Sequence, residues 1–208
     1  MYLGGLCFIT DRNAGQLSYG EMSEKVLAAG VKWIQHRAKN RSRNSIYVES
    51  VALRKLTDTY GAHLIVNDYP DIAVAADANG VHLGQDDLPV REARKVVGPG
   101  AIIGVSTHSV EEAMKAEQAG ADYVGVGPVF ETSTKDAGSP KGFELIRRVK
   151  DSIHIPVVAI GGIRSGNLRP VLDAGADAVA VASGILDGDI RQNTEKFLEV
   201  IASYAGTA

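Results

Sequence analysis

Four stretches of the chain repeat one joint: AAGVKWIQ from Ala28, DANGVHLG from Asp77, QAGADYVGVG from Gln118 and DAGADAVAVA from Asp173. Each closes a helical pattern with glycine where a helix C-terminus favours it, turns within one or two residues, and launches a short strand of valines and small residues. Four more apolar runs lie between the joints: LGGLCFI, HLIV from His63, AIIGVS from Ala101 and IPVVAI from Ile155. Helical pattern fills the gaps. Capping boxes are expected at Ser18-x-x-Glu21 and Ser109-x-x-Glu112, and Asn193 is expected to cap a last helix whose Phe197, Ile201 and Tyr204 share a face. Strands that alternate with helices predict a parallel sheet, and eight such units close into a single (β/α)8 TIM barrel of the α/β class spanning residues 1–208. A doubly wound open sheet is the alternative. It would carry a G-x-G-x-x-G turn after its first strand, and ITDRNAGQL has none.

A chain of 208 residues suits one domain. Its formal net charge of -3 argues against a general nucleic-acid or anionic-membrane binder, which needs a basic excess, so any anion is bound locally. The single cysteine, Cys7, sits in the run LCFI and reads as a small buried hydrophobe. No run approaches the roughly 18 apolar residues of a membrane span, and MYLGGLCFITDR lacks the pattern of a secretory signal, so the expected compartment is the cytoplasm. The sequence does not set an oligomeric state, and a homo-oligomer stays open.

In a (β/α)8 barrel the chemistry sits where strands end and the βα loops begin. The second strand ends in Gln35, Arg37 and Lys39, one side of an extended chain by their period of two. An amide with two cations suits a multiply charged oxyanion such as pyrophosphate, although exposed Arg and Lys are also common on solvated loops. The third strand runs into Asn67-Asp68 and the fourth into Gln85-Asp86-Asp87. Asp86 or Asp87 could cap the helix LPVREARKVV. Carboxylates beside a diphosphate also invite a bridging cation, and one or two carboxylates with phosphate oxygens is the habit of Mg2+.

Ser106 at the end of the fifth strand is placed to reach a ligand, whereas His108 is as readily a surface residue as a general base. After the sixth strand, GPVFETSTKDAGSPKG is longer than most βα loops and reads as a lid carrying Thr132, Thr134 and Lys135. The seventh and eighth strands end in Gly161-Gly162 and Ser183-Gly184, where the fold recurrently binds a monophosphate.

Q-x-R-x-K, V-N-D, HLGQDD, GVSTH, ADYVGVGPVF-x-T-x-T-K and IPVVAIGGI, in this order from about Gly30 to Ile185, resemble the thiamine-phosphate synthase family. The resemblance implies a transferase that joins hydroxymethylpyrimidine diphosphate to a thiazole monophosphate and releases pyrophosphate. It implies that Gln35, Arg37, Lys39, Asn67 and Lys135 hold the diphosphate, with His36 and Ala38 in the same stretch, and that Asp68 and Asp87 hold Mg2+. Ser106 would contact the pyrimidine, and Thr132, Ser133, Thr134, Gly162, Ala182 and Ser183 the thiazole phosphate. Tyr69 stands where the family often has Arg, and Ala38 where it often has an acid. The related thiazole tautomerase, an isomerase that would use His108, is the nearest alternative. It needs neither metal carboxylate.

Overall fold

The computed structural model describes residues 4–11, 17–132 and 139–206. Eight parallel strands pair in sequence order and close, β1 to β8, into a barrel. They are β1 (Gly5–Ile9), β2 (Trp33–His36), β3 (His63–Asn67), β4 (Gly80–Leu83), β5 (Ile102–Thr107), β6 (Tyr123–Val126), β7 (Val157–Ile160) and β8 (Ala178–Val181). The helices between them are α1 (Tyr19–Ala28), α2 (Arg43–Thr59), α3 (Pro70–Ala75), α4 (Val90–Val97), α5 (Val110–Ala119), α6 (Gly142–Lys150) and α7 (Arg169–Asp173), with α8 (Ser183–Leu186) and α9 (Ile190–Ala205) after β8. This is the predicted TIM barrel. No helix among the described residues is long and apolar enough to cross a membrane.

The strand period of two divides the apolar residues into two cores. Leu6, Phe8, Ile34, Leu64, Val66, Val81, Ile103, Val124 and Val179 point outward and pack against the helices. Their neighbours in sequence, Cys7, Ile9, Trp33, Ile65, Ile102, Tyr123, Val158 and Ala180, fill the barrel interior. Cys7 is buried there as expected, and burial pushes its thiol pKa far up, so it stays protonated and inert.

Three of the four joints turn as predicted, with Gly30, Gly120 and Gly175 at φ of 113°, 93° and 95°. The second does not. There Asp77 takes the left-handed turn at φ 53°, and Gly80 lies inside β4, where a Cβ would come within 2.1 Å of the Ile102 carbonyl oxygen. Its glycine answers to crowding between strands.

The box at Ser18 and Glu21 forms reciprocally. At α5, Ser109 accepts from the Glu112 N–H, but the Glu112 carboxylate reaches past the cap to the His108 N–H at 2.7 Å. The expected cap at Asn193 is not the cap of the last helix: Asp189 accepts from the Gln192 N–H, and Asn193, already within α9, donates to the Ile185 and Asp187 carbonyls. Neither Asp86 nor Asp87 caps α4, whose N-terminus is set by Pro89.

Candidate active site

β2 delivers its polar row to the barrel mouth. Gln35 is buried, in register with Ile9 and Ile65, and its Nε2 donates to Asn67 Oδ1 at 2.6 Å. The Asn67 amide in turn donates to the Asp68 carboxylate, and Lys39 Nζ meets Asp68 Oδ2 at 2.5 Å. Gln35, Asn67, Asp68 and Lys39 therefore form one connected polar network across the ends of β2 and β3. Asp68 adopts φ 70° while its N–H is pinned to the His82 carbonyl. A non-glycine residue in the left-handed region carries strain of the kind that often marks functional sites.

Arg37 is fixed by its backbone. Its N–H donates to Thr10 Oγ1 at 3.0 Å, and its guanidinium lies 4.0 Å from Asp11. The same alternation that turns Gln35, Arg37 and Lys39 inward turns His36 and Ala38 outward. Ala38 joins the core under the helices. The His36 ring is buried against Tyr19, within 3.3 Å of Thr10 Oγ1, with Nε2 3.7 Å from the Glu49 carboxylate. That corrects the expectation for these two residues: their side chains belong to the helix layer, and only their backbone runs beside the mouth. Burial lowers the His36 pKa to about 4, which leaves the ring neutral at neutral pH.

From the β4 end, Asp87 folds back so that its Oδ2 accepts from the Gly84 N–H at 2.7 Å. Burial chiefly, and then the nearby Asp68 carboxylate, push the Asp87 carboxyl above the usual range; the Gly84 N–H and the Lys39 ammonium pull the other way. The two acids thus sit close enough to repel, with the Lys39 ammonium beside them. Among the described residues no group of three or more His, Cys, Asp or Glu gathers as a fuller metal cage.

A cavity opens at this end of the barrel, lined by Arg37, Ser106, His108, Thr132, Gly162 and Ser183. Ala182 also lines it. The cationic strand end and the seventh and eighth loops therefore share one space. Gly161 and Gly162 hold φ of 102° and 63°, and a Cβ on Gly162 would lie 2.4 Å from the Glu131 carbonyl oxygen. A Cβ on Gly184 would come within 2.3 Å of the Ile163 carbonyl oxygen. These glycines let loops six, seven and eight pack backbone to backbone, a requirement prior to any ligand. Ser133, Thr134 and Lys135 lie outside the described residues.

His108 borders the same cavity, and its Nδ1 lies 2.7 Å from the Gly127 carbonyl oxygen. A carbonyl only accepts, so Nδ1 carries the proton and Nε2 of the neutral ring is an acceptor.

Sequence reasoning missed three residues that the structure brings to the site. Thr10 holds the Arg37 backbone. His82 bonds Ser106 Oγ through Nε2 at 2.9 Å and Tyr123 Oη through Nδ1 at 2.9 Å. The signal was present in GVHLG: between outward Val81 and Leu83, position 82 must point inward, level with Asn67.

The family model described as thiamine monophosphate synthase matches residues 6–185. A thiamine-phosphate synthase of Shouchella clausii is 50% identical over 80% of this chain and 80% of its own length. That of Methanospirillum hungatei is 46% identical over 95% and 97%. A solved thiamine phosphate pyrophosphorylase from Pyrococcus furiosus superposes with a TM-score of 0.88 at 40% identity, covering 96% of each chain. The chain belongs to the thiamine monophosphate synthase family, a family of transferases.

Proposed function

We propose that the chain joins 4-amino-2-methyl-5-(diphosphooxymethyl)pyrimidine to a thiazole monophosphate, forming thiamine phosphate and pyrophosphate. Family membership supports the reaction. The observation that carries the site assignment is the meeting of Gln35 and Lys39 with Asn67, Asp68 and Asp87 at the ends of three consecutive strands, with Arg37 following on the same side of β2.

In this reading Arg37 and Lys39 bind the diphosphate, Gln35 and Asn67 orient it, and Ser106 holds the pyrimidine. Lys135 joins the diphosphate set on resemblance alone, as do Ser133 and Thr134 the thiazole phosphate set, alongside Thr132, Gly162, Ala182 and Ser183. Asp68 and Asp87 fit Mg2+: two facing carboxylates that lack a full cage match a cation that keeps waters and substrate oxygens in its shell. Bound there, Mg2+ would supply neutralisation of the departing diphosphate.

The C–O bond between the pyrimidine methylene and the diphosphate breaks, its electron pair leaving with pyrophosphate. The thiazole nitrogen lone pair then forms the new C–N bond to the methylene. The aminopyrimidine spreads the positive charge that develops between these events, so no protein nucleophile is needed. The residues act by holding two anions in register and stabilising charge. Pyrophosphate release assayed with both substrates and Mg2+ tests the reading.

One observation favours a second reading, the thiazole tautomerase-like isomerase: His108 borders the cavity with Nδ1 engaged by the Gly127 carbonyl, which leaves Nε2 for a ligand. His108→Asn distinguishes them, since it would abolish an isomerisation and leave diphosphate displacement largely intact.

A further inference from the structure

Beneath Ser106 the barrel gives up side-chain volume to house two rings. His82 from β4 and Tyr123 from β6 point inward with centroids 5.5 Å apart. A Cβ on Gly104 would fall 2.0 Å from Tyr123 Cζ, and one on Gly125 would fall 3.3 Å from His82 Cε1. The two glycines make this pair sterically possible. The resulting chain runs from Tyr123 Oη to His82 Nδ1 and from His82 Nε2 to Ser106 Oγ, each link 2.9 Å.

Tyr123 is 1% exposed among Cys7, Trp33 and Ile102, and among the described residues its hydroxyl bonds only His82. A buried phenol has one proton to donate, and leaving that donor unmet costs more than leaving a lone pair unmet. Burial also keeps the proton on the oxygen. Tyr123 therefore donates to Nδ1. A neutral imidazole that accepts at Nδ1 carries its own proton on Nε2, and so donates to Ser106 Oγ. With an acceptor lone pair engaged from below, the Ser106 hydroxyl turns its proton into the cavity.

We propose that His82 and Tyr123 are positioning residues that fix Ser106 as a hydrogen-bond donor, and that they select a substrate ring presenting an unprotonated nitrogen at that point. This rests on the reading of Ser106 as the pyrimidine contact. A ring nitrogen of the aminopyrimidine meets the requirement, and a C–H or N–H at the same place does not.

Two measurements test it. In the folded wild-type protein, the 15N-edited histidine spectrum, with His82 assigned by comparison with His82→Gln, should show Nε2 protonated and Nδ1 not. The opposite tautomer would overturn the relay whatever the enzyme's activity. In kinetics, Tyr123→Phe should raise the KM for the pyrimidine diphosphate by roughly fivefold and leave that for the thiazole phosphate unchanged. With a substrate in which C–H replaces the acceptor nitrogen, Tyr123→Phe should match wild type. An equal loss for both pyrimidines would make Tyr123 merely structural and refute the relay. Wild-type protein that turns over no pyrimidine diphosphate would instead overturn the functional reading, while the tautomer still decides the relay.

Discussion

Replacing Asp87 separates a metal ligand from a loop anchor, because the structure gives its carboxylate both opportunities. Its Oδ2 accepts from the Gly84 N–H at 2.7 Å while the group faces Asp68. Asp87→Ala strands that N–H in a half-buried turn at a cost of about 1–2 kcal/mol, which in a domain of this size lowers the melting temperature by roughly 2–8 °C. Asp87→Asn keeps an oxygen for Gly84 and removes one of two repelling charges, so without metal it should melt close to wild type. On the proposed Mg2+ assignment both variants also lose a ligand to a hard cation, and losing roughly 2–4 kcal/mol of transition-state stabilisation slows turnover about 30- to 1,000-fold. With the pyrimidine diphosphate present, Mg2+ at about a hundredfold above its dissociation constant should stabilise wild type by about 2.7 kcal/mol, and neither variant comparably. Calorimetric melting with and without Mg2+, alongside pyrophosphate release, reads both effects. If Asp87→Ala melted lower yet kept full Mg2+-dependent turnover, Asp87 would be a loop anchor and nothing more.

Three further outcomes are expected. Arg37→Ala should raise the KM for the diphosphate substrate by roughly 10- to 100-fold, the worth of a charge-assisted contact, with little change for the thiazole phosphate; parallel losses would contradict the assignment of the β2 row. Gly162→Ala should cost about 2–5 kcal/mol, since φ 63° strains any side chain and a Cβ meets the loop-six backbone, and a melting temperature equal to wild type would refute that packing argument. His36 is held neutral, with a folded pKa of about 4 below its ordinary 6.5, so its contribution is complete above that ordinary value and is lost as pH falls through the folded one. His36→Asn should therefore flatten the fall in stability between those limits, and an unchanged acid profile would exclude His36 as its source.

How far the residues announced this arrangement depends on what each signal measures. Period two was enough to point Gln35, Arg37 and Lys39 into the mouth, and it should have pointed His36 and Ala38 away, because one strand cannot offer both faces to the same ligand. The same parity would have found His82, hidden because one histidine among apolar residues resembles a core residue. The glycines were legible as punctuation and not as packing. Gly80 and Gly104 answer to a neighbouring strand or ring, Gly162 to a different loop, and local sequence says nothing of neighbours so distant along the chain. Likewise the cap reading open for Asp86 or Asp87 fails because the Asp87 carboxylate folds back onto Gly84, a turn that the residue types around it do not specify.

On the proposed function, diphosphate leaves one substrate at this mouth so that another can capture the carbon left behind. Pyrophosphate release in a coupled assay, with purified protein, Mg2+ and each substrate alone or together, is the decisive measurement. Expected are one pyrophosphate per thiamine phosphate formed, release that needs both substrates for sustained turnover, and loss of that turnover on chelation. No release with both substrates and Mg2+ present, or release unaccompanied by any thiazole adduct, would contradict it.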